Sequence, residues 1–146
     1  MTMADTNPTG SRAARRHGLA TLLAAPLAAA LILSAGPLRA DEDMEKLLKA
    51  GAKSFNKCKI CHSLEAGQNK LGPHLHDLFG RKAGSVEGYS YSDAMKESGI
   101  VWEDDTLTAY LENPKKVVPK GKMAFAGIRK ESEMAALLAY LHKATQ

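Results

Sequence analysis

Apolar residues recur at helical spacing in three segments of this chain, and the repeat predicts three helices. The first segment runs from about 43 to 57, the second begins at Asp104 or Asp105, and the last runs from about 132 to 143. The second helix should end at Asn113, because a residue that precedes proline is disfavoured in helical geometry. The apolar stripes of these helices are Met44, Leu47, Leu48 and Phe55; Leu107, Tyr110 and Leu111; and Met134, Leu137, Leu138 and Leu141.

The rest of the pattern favours an all-α fold with long loops. Strand signals are nearly absent, and a short helix is expected near 92–98, ended by Gly99. Gly51, on the inner side of the first helix, is compatible with a close helix approach or with a simple weak point. Segments 61–90 and 114–127 are rich in turn residues and have no period. Because loops this long need support in a small domain, we expect a large apolar cofactor between them.

The N-terminal segment 1–40 is typical of a secretory signal peptide. Arginines precede an Ala/Leu-rich run that ends at the small Ala40, just before the acidic sequence DEDMEK. An uncleaved membrane anchor is the alternative, although the run is short for a span of roughly 20 apolar residues and contains Pro26. We expect export to the periplasm, cleavage, and one mature domain of residues 41–146.

The charge of the chain changes once the signal peptide is set aside. The full sequence has 20 basic and 16 acidic residues, but four basic residues and only one acidic residue lie in positions 1–40. The remaining domain is nearly neutral, so it lacks the basic excess that is typical of nucleic-acid-binding proteins. Electrostatic partners must then be recognised by local patches of charge.

The candidate chemistry lies in the sequence CKICH, which contains both cysteines, Cys58 and Cys61, followed by His62. Cys-x-x-Cys-His in an exported chain is typical of covalent c-type haem attachment. Two intervening residues put both sulfurs on one side of a helical turn, where each can bond to a haem vinyl group. A thioredoxin-like site would need a preceding strand, and a zinc site would need four ligands; neither pattern is visible.

The two axial positions of the haem iron decide between electron transfer and ligand binding. His62 would supply one ligand, and the turn at Pro73 offers a carbonyl for its other ring nitrogen. Met123 lies in a loop between Gly121 and Gly127 and could close over the opposite face. The alternative for Met123 is a buried side chain that fills a gap in the core.

The chain resembles the class I cytochromes c of the mitochondrial and bacterial periplasmic type over about residues 45–145. The resemblance rests on the ordered motifs CKICH, GPHLHDLFGRKAG, EGYSYSDA, Trp102, YLENPKK, GKMAFAG and LLAYLHKAT. It implies a small fold in which the terminal helices cross and long loops wrap one covalent haem. It also implies a single-electron carrier that is not an enzyme.

The resemblance also assigns residues to the haem site. His62 and Met123 match the axial ligands, and Pro73 matches the proline whose carbonyl accepts the histidine N–H. Donors to a haem propionate are matched by Arg81, Tyr91 and Trp102, and the tyrosine near the methionine sulfur is matched by Tyr110. Two departures are Gly121, where the family usually has threonine, and Met95, where it often has asparagine.

Lysines near the predicted haem loops are expected to steer the protein to acidic redox partners. The resemblance implies a cytochrome bc complex as donor and a terminal oxidase or photosynthetic reaction centre as acceptor, met by a monomer in transient complexes. A haem enzyme or gas-binding protein with a displaceable sixth ligand is the alternative function. The lysines in question are Lys57, Lys59, Lys70, Lys115, Lys116, Lys120 and Lys122.

Overall fold

A computed structural model describes residues 37–146, in which five α-helices form the regular structure. Between those residues the only strand-like pairing is a single bridge that joins Lys82 to Val101. The predicted all-α fold class is therefore confirmed. The helices are α1 (Pro37–Phe55), α2 (Asp93–Lys96), α3 (Asp104–Glu112), α4 (Pro114–Val117) and α5 (Glu131–Ala144).

The start of α1 differs from the prediction. Within the described residues α1 already includes Pro37, so it reaches further back than the predicted start at about 43. Met44 is 52% exposed, so the expectation that it packs with the apolar stripe was wrong. Residues 39–46 are all exposed, and the packed part of the stripe begins at Leu47. Of the predicted signal peptide, only 37–40 belong to the structure described here, and residues 1–36 lie outside it.

The terminal helices α1 and α5 cross at very short range, and Gly51 is the point of contact. A Cβ atom on Gly51 would lie 2.0 Å from the backbone oxygen of Ala136 and 2.5 Å from Cβ of Tyr140. The rings of Phe55 and Tyr140 pack beside this point with centroids 5.4 Å apart, and Leu137 is fully buried. The close-approach interpretation of Gly51 is confirmed, because only a residue without Cβ fits there.

A polar cluster joins the end of α1 to the start of α5. The carboxylate of Glu133 accepts hydrogen bonds from Ser54 Oγ at 2.8 Å and from Lys57 Nζ at 2.6 Å. The hydrogen bond from Lys57, followed by the one from Ser54, holds the pKa of Glu133 below its usual value. The cluster therefore fixes the segment that leads directly into the cysteine motif.

The loops between the helices are as long as predicted, with one correction at the Asn-Pro pair. Asn113 ends α3 as expected, but Pro114 is also the first residue of the one-turn helix α4. The Asn113 side chain caps α4 by accepting from the backbone N–H of Lys116 at 3.1 Å. The Asn113-Pro114 pair thus ends α3 and begins α4, because proline is favoured at the first position of a helix. None of the five described helices is long and apolar enough to cross a bilayer.

Candidate functional site

A cavity of about 400 Å³ lies between the loops and the helices α3 and α5. Sites for cofactors and small molecules typically measure roughly 300–1,000 Å³. Every residue that the sequence assigned to the site lines this cavity, so the structure brings all of them together. They are Cys58, Cys61, His62, Pro73, Arg81, Tyr91, Trp102, Tyr110 and Met123.

The cysteine motif forms a tight helical turn that follows directly from α1. The backbone N–H groups of Cys61 and His62 both donate to the carbonyl of Cys58, at 3.0 and 2.9 Å. Both thiols are free of disulfide bonds and line the cavity. Burial raises the pKa of Cys58 to about 11, so this thiol is uncharged at neutral pH.

His62 is held in one orientation by the neighbouring turn. Its Nδ1 lies 2.7 Å from the carbonyl oxygen of Pro73. A carbonyl can only accept, so Nδ1 carries the proton and Nε2 keeps its lone pair. Burial lowers the pKa of His62 below its usual value, which keeps the ring neutral. A Cβ on Gly72 would lie 2.4 Å from Cε1 of His62, so the ring can pack against this turn only because Gly72 has no side chain.

Met123 reaches the cavity from a loop that is tied down at both ends. The N–H of Gly121 donates to Val118 O at 2.9 Å before it, and the N–H of Ile128 donates to Leu111 O at 2.9 Å after it. Lys122 Nζ donates to the carbonyl of Ser90 at 2.7 Å, which joins this loop to the loop before α2. The methionine is half-buried and lines the cavity.

Arg81 places a positive charge in the cavity wall. Its guanidinium donates to the carbonyls of His76 and, at 3.0 Å, of His74. Among the ion pairs formed within residues 37–146, none involves Arg81. Burial lowers the pKa of this half-buried group, while the nearby Tyr91 and Asp77 act in the opposite direction. A half-buried guanidinium with donors to spare fits an anionic ligand group.

Aromatic residues with polar tips form the remaining wall. The rings of Trp102 and Tyr110 pack with centroids 5.0 Å apart, and both are buried. Burial raises the pKa of Tyr110 to about 12 and also raises the pKa of Tyr91. Both phenols therefore stay neutral and remain hydrogen-bond donors at neutral pH.

Several residues of the cavity wall could not be identified from the sequence. Leu71 lines the cavity although 79% of the residue is exposed, and the hydroxyl of Tyr89 donates to the Leu71 carbonyl at 2.7 Å. Leu78 and Phe125 complete the apolar surface. No periodic signal marks these residues, because they lie in loops whose course depends on the whole fold. Met95, noted as a departure, is buried in this wall.

The wall as a whole fits a covalent haem. Two free thiols, a neutral imidazole with an available lone pair, a thioether and the Arg81 guanidinium line one apolar cavity. These residues do not form a four-ligand site for a bare metal ion. Among the described residues 37–146, no group of three His, Cys, Asp or Glu side chains is arranged to hold a bare metal ion.

Comparison with known proteins agrees with this geometry. Residues 48–145 match the family model described as cytochrome c. A cytochrome c of Arabidopsis thaliana is 52% identical over 109 residues, which cover 73% of this chain and 97% of that protein. Cytochrome c-550 of Nitrobacter winogradskyi is 50% identical over 95 residues, covering 64% and 87%. Cytochrome c2 iso-2 of Magnetospirillum fulvum is 49% identical over 88 residues, covering 60% and 92%.

The family match spans most of the described chain, including the cysteine motif and the Met123 loop. Proteins of this family carry haem c, which is bonded to the two cysteines of the Cys-x-x-Cys-His motif. The fold, the cavity and the relatives lead to one conclusion: the chain belongs to the cytochrome c family and carries covalent haem c.

Proposed function

We propose that this protein is a single-electron carrier whose haem iron is held by His62 and Met123. The observation that carries the proposal is that these two side chains, distant in sequence, line the same apolar cavity. The relatives named cytochrome c, cytochrome c2 and cytochrome c-550 support the same role. An iron with both axial positions filled exchanges one electron without binding a substrate.

His62 contributes a fixed, neutral nitrogen ligand. The 2.7 Å contact between Nδ1 and the Pro73 carbonyl leaves Nε2 as the free ligand atom. A hydrogen bond of this kind fixes the ring orientation and raises the basicity of the ligand nitrogen. Replacing Pro73 would alter this bond only through the backbone, since the carbonyl itself is present in every residue.

Met123 contributes a neutral, soft sulfur, which favours reduced iron and raises the potential. The contact between Lys122 and the Ser90 carbonyl restrains the loop next to this sulfur. The buried phenol of Tyr110 lies in the same wall and stays protonated, because burial raises its pKa to about 12. The restraint on the loop supports a permanently filled sixth position.

Arg81, Tyr91 and Trp102 would receive the haem carboxylates. A buried carboxylate is costly without donors, and these three side chains bring N–H and O–H groups to the cavity. Arg81 is the strongest of them because it is the charged one and forms no ion pair within residues 37–146. The resulting hydrogen bonds would hold the haem edge and limit the entry of water.

The lysines near the cavity would guide the carrier to acidic faces of membrane redox complexes. The proposed donor is a cytochrome bc complex, and the proposed acceptor is a terminal oxidase or a photosynthetic reaction centre. Lys57 contributes less to this attraction than predicted from the sequence, because its ammonium group pairs with the Glu133 carboxylate at 2.6 Å.

We further propose that residues 1–40 are a cleaved signal peptide and that the carrier works in the periplasm. A mass measurement of the purified protein tests the cleavage.

A redox titration of the purified holoprotein, with optical spectra in both states, tests the proposed function. We expect one reversible one-electron transition and a weak long-wavelength band from iron–sulfur ligation in the oxidised state. Carbon monoxide and cyanide should cause no immediate spectral change. A high-spin oxidised spectrum that responds at once to either ligand would replace the proposal with a ligand-binding or enzymatic role.

A further inference from the structure

His142, near the end of α5, is held on two sides by residues from distant parts of the chain. Its ring stacks on the ring of Phe79, with centroids 3.6 Å apart and planes inclined by 10°. Its Nε2 lies 2.7 Å from Oδ1 of Asp104, the first residue of α3. A carboxylate oxygen can only accept, so Nε2 carries the hydrogen of this bond. One side chain thus connects α5 to the loop before α2 and to the start of α3.

The loop side of this arrangement leads directly to Arg81. Phe79 lies at a corner of a tight turn, which the N–H of Arg81 closes by donating to Leu78 O at 3.3 Å. The end of α5 also holds the residue before this turn, since the N–H of Asp77 donates to the carbonyl of Thr145 at 2.5 Å. Because Arg81 itself closes the turn, a displacement of Phe79 shifts the backbone that carries the guanidinium.

The helix side of the arrangement leads to Trp102. Thr106 Oγ1 donates to the carbonyl of Val101 at 2.6 Å and accepts from the N–H of Glu103 at 2.9 Å. These two bonds join the first turn of α3 to the segment that carries Trp102. Asp104, two residues further on, is therefore fixed in position relative to Trp102.

The two segments also bond directly to each other. The N–H of Gly80 donates to Trp102 O at 2.8 Å, and the N–H of Trp102 donates to Arg81 O at 3.0 Å. Arg81 and Trp102 line the cavity, whereas His142 is exposed at the surface and does not line it. Any effect of His142 on the haem must therefore pass through these two segments.

We propose that His142 is a positioning residue, which holds Arg81 and Trp102 where they donate to a haem carboxylate. The proposal rests on the carboxylate-binding role of these two side chains under the proposed function. Phe79 and Asp104 complete the arrangement, and the three residues together are here called the His142 clasp. Each partner of His142 lies two residues from one of the two donors, so one ring on α5 sets the spacing between them.

The His142 clasp affects the redox potential through the charge of that carboxylate. A negative charge near the iron stabilises the oxidised haem, which carries one more positive charge than the reduced haem. Hydrogen bonds from Arg81 and Trp102 offset the negative charge and keep water out, and both effects favour the reduced state. A broken clasp should therefore lower the potential.

A purely stabilising role fits the His142 clasp less well. The side chains of His142 and Asp104 are 45% and 61% exposed. Exposed ion pairs contribute little to folding stability, because water and salt screen the charges. The stack on Phe79 and the hydrogen bond to Asp104 instead restrict the distance and the orientation of the two segments. The clasp should therefore act on the potential more clearly than on unfolding.

The test compares the redox potentials of holoproteins. His142→Ala and Asp104→Ala each break the clasp, whereas Asp104→Asn keeps an oxygen that can accept from the imidazole. The matched controls are Lys143→Ala and Asp105→Ala, which remove neighbouring exposed charges that form no ion pair between the residues described by the structure. Arg81→Gln measures the carboxylate-binding role itself.

Three further measurements accompany the potentials. Absorption spectra in both redox states establish that each variant keeps the wild-type iron ligation. Denaturant unfolding measures the stability of each variant. Hydrogen exchange of the Trp102 indole N–H, followed by NMR, reports whether this donor keeps its partner, which a change in overall stability alone would not alter.

We expect His142→Ala and Asp104→Ala each to lower the equilibrium constant for reduction about threefold, equivalent to about 28 mV for one electron. Exchange of the Trp102 indole N–H should become at least threefold faster. Asp104→Asn, Lys143→Ala and Asp105→Ala should stay within 1.5-fold of the wild type in both measurements. The sign for Asp104→Ala is informative, because the loss of a negative charge alone would raise the potential.

Two results would overturn the proposal in distinguishable ways. Potentials of His142→Ala and Asp104→Ala within 1.5-fold of the wild type, beside a lowered potential in Arg81→Gln, would remove the positioning role and leave the carboxylate-binding role intact. This holds even if the two variants unfold more easily, because the clasp would then serve stability alone. If Arg81→Gln also leaves the potential unchanged, the carboxylate-binding role fails, and the positioning role fails with it.

Discussion

Replacing Gly51 by alanine tests the packing that closes the fold. Gly51 lies where α1 crosses α5, and an added Cβ would lie 2.0 Å from the carbonyl oxygen of Ala136. An ordinary van der Waals contact begins only at 3.4 Å, so the nearest atoms must separate by well over an ångström. The obstacle is backbone on a helix, which cannot rotate away as a flexible side chain would. The helices must therefore move apart.

Two opposing effects set the size of the change. Alanine is favoured over glycine inside a helix by about 1 kcal/mol. Overpacking a close contact costs roughly 1–3 kcal/mol, and a clash with backbone belongs at the upper end. Moving the helices apart also weakens the packing of Phe55 on Tyr140, whose ring centroids are 5.4 Å apart. We expect Gly51→Ala to lower the free energy of unfolding by about 2 kcal/mol.

Denaturant unfolding of the holoprotein, followed by far-UV circular dichroism, measures the effect. The control is Ala50→Gly at the neighbouring exposed position of α1, which should cost about 1 kcal/mol through helix propensity alone. A Gly51→Ala protein that is as stable as the wild type, or more stable, would refute the reasoning. Helix propensity would then outweigh the close contact.

Other expected outcomes concern a strained residue and two groups with shifted pKa values. Asp77 has φ of 51°, in the left-handed region of backbone conformation, which is unfavourable for a residue with a Cβ atom. Asp77→Gly should therefore raise the free energy of unfolding by roughly 1 kcal/mol, whereas Asp77→Ala should not. Denaturant midpoints of the two variants measure the difference. Hydrogen bonds from Lys57 and Ser54 lower the pKa of Glu133. The contribution of this carboxylate to folding stability is therefore present above the ordinary glutamate pKa and is lost as the pH falls through the lowered pKa. Stability curves of wild type and Glu133→Gln should therefore differ at pH 7 and converge in acid; a constant difference would contradict this. Burial raises the pKa of Tyr110 to about 12, so stability falls as pH rises above about 10, where the unfolded tyrosine ionises. Tyr110→Phe should flatten that alkaline slope, and an unchanged slope would assign it to other groups.

The helical part of the fold could be predicted from the sequence because its signals are local. The stripe of α5 and the stop at Asn113 depend on residue spacing and on proline chemistry, and both match the structure. α4 was missed because a single turn has no period to detect. The exposed position of Met44 was missed for a different reason. Residue spacing shows which face of a helix is apolar, but it does not show how much of that face is covered by the rest of the domain.

Some residues of the candidate site could likewise be predicted from local sequence, and others could not. Cys58, Cys61 and His62 are fixed by spacing within one turn, so the motif could be read directly. The cavity unites them with Met123 and Arg81 through long-range loop contacts, which a short motif cannot encode. The resemblance of the whole chain to a family supplied those assignments.

Residues outside any motif required the structure. The exposure of Leu71 and its place at the cavity edge depend on the hydrogen bonds from Tyr89 and Lys70 to neighbouring carbonyls. The pairing of Lys57 with Glu133 joins opposite ends of the domain. Neither contact follows from local sequence, because each is set by how the loops and helices meet.

The most direct test of iron ligation is the oxidised absorption spectrum of Met123→Leu beside that of Met134→Leu, a control in which a core methionine is replaced. We predict that the long-wavelength iron–sulfur band is present in the wild type, persists in Met134→Leu and vanishes in Met123→Leu. A band that survives the loss of Met123 would contradict the central claim that this sulfur and the His62 imidazole hold the iron.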